Sequence, residues 1–398
     1  MLTHGGKRIG SGRSKLTPEV KKKSYKVYMN IETCEQIELF GVGESFSSKV
    51  IDLVHSELHT RANLKSMKFI DLFAGIGGFR IALEEFGQKC VFSSEMDKHC
   101  QKVYEENFKE IPSGDITQIS EDDIPDFDIL TAGFPCQPFS YAGRQEGFND
   151  KTRGTLFFDV LRIIKAKRPK MFLLENVKGL KSHNNGETMD IIFSSLKEIG
   201  YDIHWTILDS HKFGVPQKRE RWYCVGFDKK IDFKFPIQTN PTTTLRDIVD
   251  IEAKHPDLEI TEFEKKRIQH HFSSTDIRVQ HDNSMYATHT KKGRHGVFSY
   301  LKPDKTLRFH IGDVAKTQIQ EAYYCSLDSV APAIIASREP KLWDIQRRLS
   351  VDECRKLQGF PDNFVFNVSN LQAKKQLGNS VAVPVIREIV RNMLYYYK

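Results

Sequence analysis

Between about residues 67 and 237, short apolar runs alternate with segments of helical length, and that rhythm admits few folds. Lys68–Phe73, Cys90–Ser94, Asp128–Thr131, Met171–Glu175 and Trp222–Phe227 read as strands. Gly78–Phe86, Lys98–Phe108, Leu156–Ala166 and Met189–Ile199 read as the helices between them. Strands spaced by helices of this length predict an α/β doubly wound, mostly parallel sheet, with ligands at the carboxyl ends of its strands. The rhythm fails over residues 241–342, which are polar and rich in Thr, His, Lys and Arg. It returns in 343–398, which ends in an apolar helix, Val383–Tyr397. The expected organisation is a sheet domain over 66–240, a smaller inserted domain over 241–342, and a tail over 343–398 that packs back on the sheet.

Residues 1–65 stand apart. A basic arm carries Lys7, Arg8, Arg13, Lys15, Lys21, Lys22, Lys23 and Lys26 against one acid, Glu19. Such a block suits a polyanionic partner. Ser24–Asn30 then alternates like a strand, and two short amphipathic helices follow, Ile31–Phe40 and Phe46–Leu58, with Ser45 placed as an N-cap. No apolar run is long enough to cross a bilayer, and no secretory signal is expected at the amino terminus. Seven cysteines without a C-x-x-C pair argue for free thiols in a reducing cytoplasm, and against a disulfide framework or a zinc ribbon. The 39% hydrophobic content supports a sizeable core.

Phe69-Ile-Asp-Leu-Phe-Ala-Gly-Ile-Gly-Gly78 is a strand entering a glycine turn and then a helix. Gly75, Gly77 and Gly78 let the backbone turn sharply and approach a ligand. Arg80 stands where the third glycine of a dinucleotide fingerprint would fall, which weakens a nicotinamide reading. Glu95, about twenty residues on at the end of the next strand, is placed for ribose hydroxyls. Asp115, followed by Ile116, is placed to accept from an adenine amino group. Together these residues favour a nucleoside-containing cofactor. Taken singly, the glycines are a tight turn and Glu95 a surface acid.

Gly133-Phe-Pro-Cys-Gln-Pro-Phe-Ser140 follows another strand, and the prolines flanking Cys136 hold its thiol in one direction. Most lone cysteines after a strand are packing; this setting moves Cys136 toward reactivity. Glu175 ends the strand in Leu173-Leu-Glu-Asn-Val177. In Gln217-Lys-Arg-Glu-Arg221, Arg219 and Arg221 are expected on one face of an extended segment, able to hold a carboxylate or phosphate.

The segments DLFAGIGGFR, GFPCQPFS, RGTLFF, ENV, QKRER, RRLSVDECRKLQGFPDNF and GNSVAVPV occur in the order found in bacterial DNA cytosine-5 methyltransferases, and the chain resembles that family from about residue 67 to 398. The resemblance implies the S-adenosylmethionine-dependent methyltransferase sheet and methylation of cytosine carbon 5 in double-stranded DNA. Cys136 would attack carbon 6 of a flipped-out cytosine, Glu175 would engage N3 and the exocyclic amine, and Arg219 and Arg221 would position Glu175 and the cytosine carbonyl. The two arginines would also favour the thiolate of Cys136. The implied S-adenosylmethionine shell is Phe73, the glycine turn, Glu95, Met96, Asp115, Ile116, Leu156 and Asn379, with no metal. Met96 departs from the family pattern, in which a tryptophan commonly follows the ribose-binding acid. By the same resemblance, 241–342 is the target-recognition region, with Thr306 in a threonine–aliphatic element, and Ser140 lies at the DNA.

The first 65 residues resemble a ribbon-helix-helix DNA-binding domain, in which paired strands of a homodimer would present Lys26, Tyr28 and Asn30 to the major groove and regulate a promoter. A basic tail with a helical cap is the plainer alternative. A cognate restriction endonuclease is an expected partner. RNA cytosine methylation and a DNA-binding regulator without catalysis remain the competing functions. His270, His271 and His281 lack ligand spacing and are expected to be solvated or to face DNA.

Overall fold

A computed structural model of the chain describes residues 65–135, 156–281, 296–312, 318–336 and 338–397, with scattered positions between 34 and 54. The chain divides into two compact units, 1–59 and 60–398. In the first, the described residues Cys34, Ile37, Phe46, Ser47, Lys49, Val50, Ile51 and Val54 are helical, inside the two expected helices. The expected strand, with Lys26, Tyr28 and Asn30, lies outside the described residues.

The second unit is built on a six-stranded sheet. Its early elements run β1 (Lys68–Leu72), α1 (Gly78–Glu84), β2 (Lys89–Ser94), α2 (Lys98–Phe108), β3 (Ile129–Gly133), α3 (Leu156–Lys167), β4 (Met171–Val177), α4 (Glu187–Glu198) and β5 (Asp202–Asp209). Then come the short β6 (Gln217–Lys218) and the long β7 (Glu220–Phe227). Strand order is β2-β1-β3-β4-β7-β5. β1 to β4 are mutually parallel, while β7 is antiparallel to both β4 and β5.

Both faces of this sheet are covered, which explains the mostly apolar, buried strands. Phe69, Met171, Leu173, Tyr223 and Val225 join one core with α1 and the carboxyl-terminal helix. Ile70, Leu72, Phe172, Leu174, Trp222 and Cys224 join another with α3 and α4. The sequence reading missed β5. Its apolar residues Ile203, Trp205 and Ile207 alternate with His204 and Thr206, as suits a half-exposed edge strand.

The inserted region is also ordered into a sheet, contrary to its irregular sequence. It comprises α5 (Glu262–Ser273), β8 (Arg278–His281), β9 (Gly296–Leu301), β10 (Leu307–Gly312), β11 (Gln318–Cys325), β12 (Ala331–Pro332), β13 (Lys341–Leu342) and β14 (Arg347–Arg348). The second sheet has the order β14-β13-β11-β10-β9-β8, and β12 leaves it to pair with β6. Its inner face packs Leu307, Phe309 and Tyr324 against Ile260 and Ile268. His271 and His281 are buried there rather than solvated: both rings bond the Ser299 hydroxyl, at 2.8 and 2.7 Å. The chain closes with α6 (Val351–Leu357), α7 (Asn370–Asn379) and α8 (Val383–Tyr396), and α8 packs on α1.

Candidate active site

The glycine turn after β1 is left-handed at Phe73, Gly75 and Gly77, with φ of 55°, 56° and 86°. Gly77 has a second constraint: a Cβ there would lie 2.3 Å from the Phe108 ring. A Cβ on Gly78 would meet Val381 at 2.7 Å, so the start of α1 is pressed onto the segment before α8. Arg80 turns away from the glycine loop. It donates to Glu84 and Glu110 at 2.7 and 2.6 Å and lies over the Phe108 ring. The side chain at the third-glycine position therefore anchors α1 to the end of α2.

Glu95 follows β2 and braces the turn directly. One carboxylate oxygen accepts from Gly75 N and the other from Asp97 N, each at 2.8 Å. Burial raises its pKa, opposed by those N–H donors. Met96 beside it is 68% exposed, so it is available to a ligand and contributes little to the core. Asp115 caps the turn 116–118 by accepting from Thr117 N, and Ile116 is buried beneath it. Leu156 opens α3 half-buried, and Asn379 ends α7 exposed. Phe73, Glu95 and Asp115 thus all follow the carboxyl ends of strands or the loops leading from them.

Beneath the turn lies Asp71, which the sequence reading passed over. It is fully buried; one oxygen accepts from Thr131 Oγ1 at 2.9 Å, and the other has no hydrogen-bond partner. Burial pushes its pKa up to about 7. A buried acid inside an apolar strand carries a clear sequence signal, Ile-Asp-Leu, and was legible there.

Glu175 stands near the end of β4, only 9% exposed. Antiparallel pairing brings Arg221 opposite Val177, and Arg221 Nε lies 3.3 Å from Glu175 Oε1. Burial raises the Glu175 pKa, with Arg221 and then Arg219 opposing it. Arg219 does not share this partner. It lies between β6 and β7, and its guanidinium donates to the carbonyls of Ile334, Gly378 and Ser380 at 2.7, 3.1 and 2.6 Å. Burial, then the charge of Arg221, lowers its pKa to about 9.

Asn176 is a further residue that sequence reasoning quoted but gave no role. Its side-chain amide donates to Phe134 O at 2.8 Å, in a buried setting. Phe134 and Pro135 lead directly into Cys136, which, with Ser140, lies outside the described residues. Asn176 therefore ties the chain entering Cys136 to the strand that carries Glu175. Thr306 is placed between β9 and β10, buried, with its N–H donating to Asp304 Oδ1 at 3.0 Å. Among the described residues, no helix is long and apolar enough to cross a membrane.

A mostly parallel sheet with a braced glycine turn at one strand end and a buried Glu–Arg pair at another defines a group-transfer enzyme of the methyltransferase type. The family profile described as C-5 cytosine-specific DNA methylase matches residues 67–395. The chain belongs to that family and is a DNA cytosine-5 methyltransferase. It is 42% identical over 336 residues to the Type II methyltransferase M.DsaV of Dactylococcopsis salina, covering 83% of this chain and 87% of the relative. It is 39% identical over 374 residues to the Type II methyltransferase M1.ScrFI of Lactococcus lactis subsp. cremoris, covering 92% and 86%. Among solved structures, the Dnmt2 methyltransferase of S. pombe shares the fold, with a TM-score of 0.58 at 18% identity, over 83% of this chain and 98% of that one.

Proposed function

We propose that the enzyme methylates carbon 5 of one cytosine within a short duplex DNA site, using S-adenosylmethionine, as the modification partner of a cognate restriction endonuclease. The observation that carries the reading is the Glu175–Arg221 pair at the end of β4, tied through Asn176 to the chain entering Cys136.

The cleft suits a nucleoside. Glu95 offers the remaining lone pairs of its carboxylate to ribose hydroxyls, the glycine turn leaves room beside it, and exposed Met96 can lie against a base through its sulfur. Phe73, Asp115, Ile116, Leu156 and Asn379 complete that shell. S-adenosylmethionine, when bound, supplies the methyl electrophile.

On the chain's side, the target cytosine leaves the duplex stack, because its reactive edge is inaccessible within it. The Cys136 thiolate forms a bond to carbon 6, and the electron pair of the C5–C6 double bond moves into the ring toward carbon 5 and N3. Glu175, protonated and hydrogen-bonded at N3, gives up its proton there as charge develops. Arg221 orients Glu175 and faces the cytosine carbonyl. After transfer, the carbon 5 proton passes to a base, the double bond re-forms and the Cys136 sulfur departs. Ser140 and Thr306 belong to the DNA-contacting elements of this reading. The amino-terminal segment, with Lys26, Tyr28 and Asn30, is a DNA-binding domain that dimerises and controls a promoter. The site of action is the cytoplasm.

Bisulfite sequencing of DNA from a methylation-free bacterial host expressing the chain tests this reading. Protected cytosines in one short context, lost with Cys136→Ser, support it. Soluble protein with no protected cytosine refutes it, and methyl transfer to RNA in a parallel assay would redirect it.

A further inference from the structure

Arg219 is a buried cation, 3% exposed, that makes no ion pair with a carboxylate among the described residues. Its hydrogen bonds go to main-chain carbonyls, and their positions are informative. Gly378 O and Ser380 O bracket Asn379, while Ile334 O lies on the segment returning from the inserted domain. Two buried glutamines complete the arrangement. Gln217 donates to Leu357 O and to Gln358 Oε1, both at 2.9 Å, and accepts from Ile334 N at 2.9 Å. Gln358 donates to Leu377 O at 2.6 Å and to Ser380 O at 3.3 Å. Two side chains, Arg219 and Gln358, thus grip the turn 377–380 by its carbonyls, and Gln217 holds Gln358 in place.

That turn has little freedom elsewhere. A Cβ on Gly378 would lie 2.3 Å from the Ile335 carbonyl carbon, so the two backbones are in direct contact. On its other side, Ser380 and Val381 press on Gly78, where a Cβ would meet them at 3.0 and 2.7 Å. A continuous line of contact therefore runs from Arg219 through the Asn379 turn to the glycine turn after β1. Carbonyl ligands explain why an arginine is needed: one fork of N–H donors reaches three acceptors whose directions differ.

We propose that Arg219 is a positioning residue for the S-adenosylmethionine pocket, fixing Asn379 and the glycine turn, and that holding Glu175 and the cytosine falls to Arg221 alone. This inference rests on the cofactor assignment made above. It divides between two functions a pair of arginines that are only two residues apart.

The test compares Arg219→Lys with Arg221→Lys in the full-length enzyme. Equilibrium binding of S-adenosylmethionine and of DNA is measured separately, and kcat is taken at saturating cofactor. For Arg219→Lys the cofactor Kd is expected to rise about tenfold or more, with kcat and DNA affinity within about threefold of wild type. Arg221→Lys is expected to do the reverse, lowering kcat at unchanged cofactor Kd. Asn379→Ala supplies the readout that a general loss of stability would not move. If Arg219 acts through Asn379, the double variant binds cofactor no worse than the poorer single variant. Should Arg219→Lys fail to fold, Gln358→Met removes two of the bonds to the same turn and carries the same expectation.

A lower kcat at unchanged cofactor Kd in the Arg219 variant, or strict additivity with Asn379→Ala, overturns the proposal. Absence of S-adenosylmethionine binding by the wild-type enzyme would instead strike the cofactor assignment, and the proposal with it.

Discussion

Replacing Asn176 with alanine isolates the link between the strand of Glu175 and the chain entering Cys136, the two halves of the proposed reaction centre. The amide is 2% exposed and donates to Phe134 O at 2.8 Å, two residues ahead of Cys136. Removing it leaves a carbonyl in a dry environment without its partner, at a cost of about 1–3 kcal/mol. At about 2.1 cal/mol/K per residue, unfolding the roughly 340-residue second unit carries an entropy near 0.7 kcal/mol/K, so Tm should fall by only about 1.5–4 °C. The chemical effect should be far larger, because releasing Phe134 and Pro135 frees the chain that leads into Cys136, the proposed nucleophile. A displacement of about 1 Å is enough for a loss on the order of 100-fold. Single-turnover methyl transfer to duplex DNA, with thermal unfolding measured on the same samples, reads both quantities. Asn176→Asp sharpens the test, since a carboxylate facing a carbonyl repels it, whereas protonation restores a donor; its rate should recover as pH falls. A kcat within about threefold of wild type in Asn176→Ala, alongside the Tm loss, would show that the tie stabilises the fold without positioning Cys136.

Three other outcomes follow from the same geometry. Because burial raises the Glu175 pKa, its proton-bearing form persists to higher pH than an ordinary glutamate allows; kcat should fall as pH rises through that raised pKa. Glu175→Gln should lower kcat by roughly 10²–10⁴ and abolish that limb of the pH–rate profile. Asp71 titrates near 7 when folded and near 3.8 when unfolded, so the unfolded chain releases its proton first and stability falls as pH rises across that window. Asp71→Asn should flatten this dependence in denaturation curves by up to about 4 kcal/mol between the two limits. His281 behaves oppositely. Burial, then neighbouring His270, lowers its pKa to about 4, so the unfolded chain gains a proton below 6.5 and stability should drop as pH falls from 6.5 toward 4. His281→Gln should lessen that acid sensitivity, as followed by the unfolding midpoint at pH 7.5 and 5.

What the sequence disclosed depended on how each strand is buried. β1, β3 and β4 are covered on both faces, so nearly every residue is buried, most are apolar, and the runs stand out against the helices. β5 lies at the sheet edge and β8 alternates Arg278 and Gln280 with buried Val279 and His281. Such strands look polar when read residue by residue, and the second sheet was accordingly read as irregular. The histidines misled for a related reason: His271 and His281 look like surface residues until Ser299, on the neighbouring strand β9, supplies an acceptor or donor for both. No local pattern encodes that encounter.

The arginine pair shows where spacing rules stop being valid. Residues two apart share a face only while the strand continues, and the chain does not continue one strand through Gln217–Arg221. Gln217 and Lys218 pair with Ala331 and Pro332, whereas Glu220 onward pairs with β5, and from Arg221 also with β4. Arg219 occupies the change of partner, where its own N–H turns to Asp209 Oδ1 at 2.9 Å. The break frees its side chain to cross toward residues 334 and 378–380, more than a hundred positions later in sequence, while Arg221, already within β7, faces Glu175. One short motif therefore supplies two cations to two sites because a strand ends inside it. The distinction requires the inserted domain to be present, since it is the returning segment at Ile334 that completes the first site.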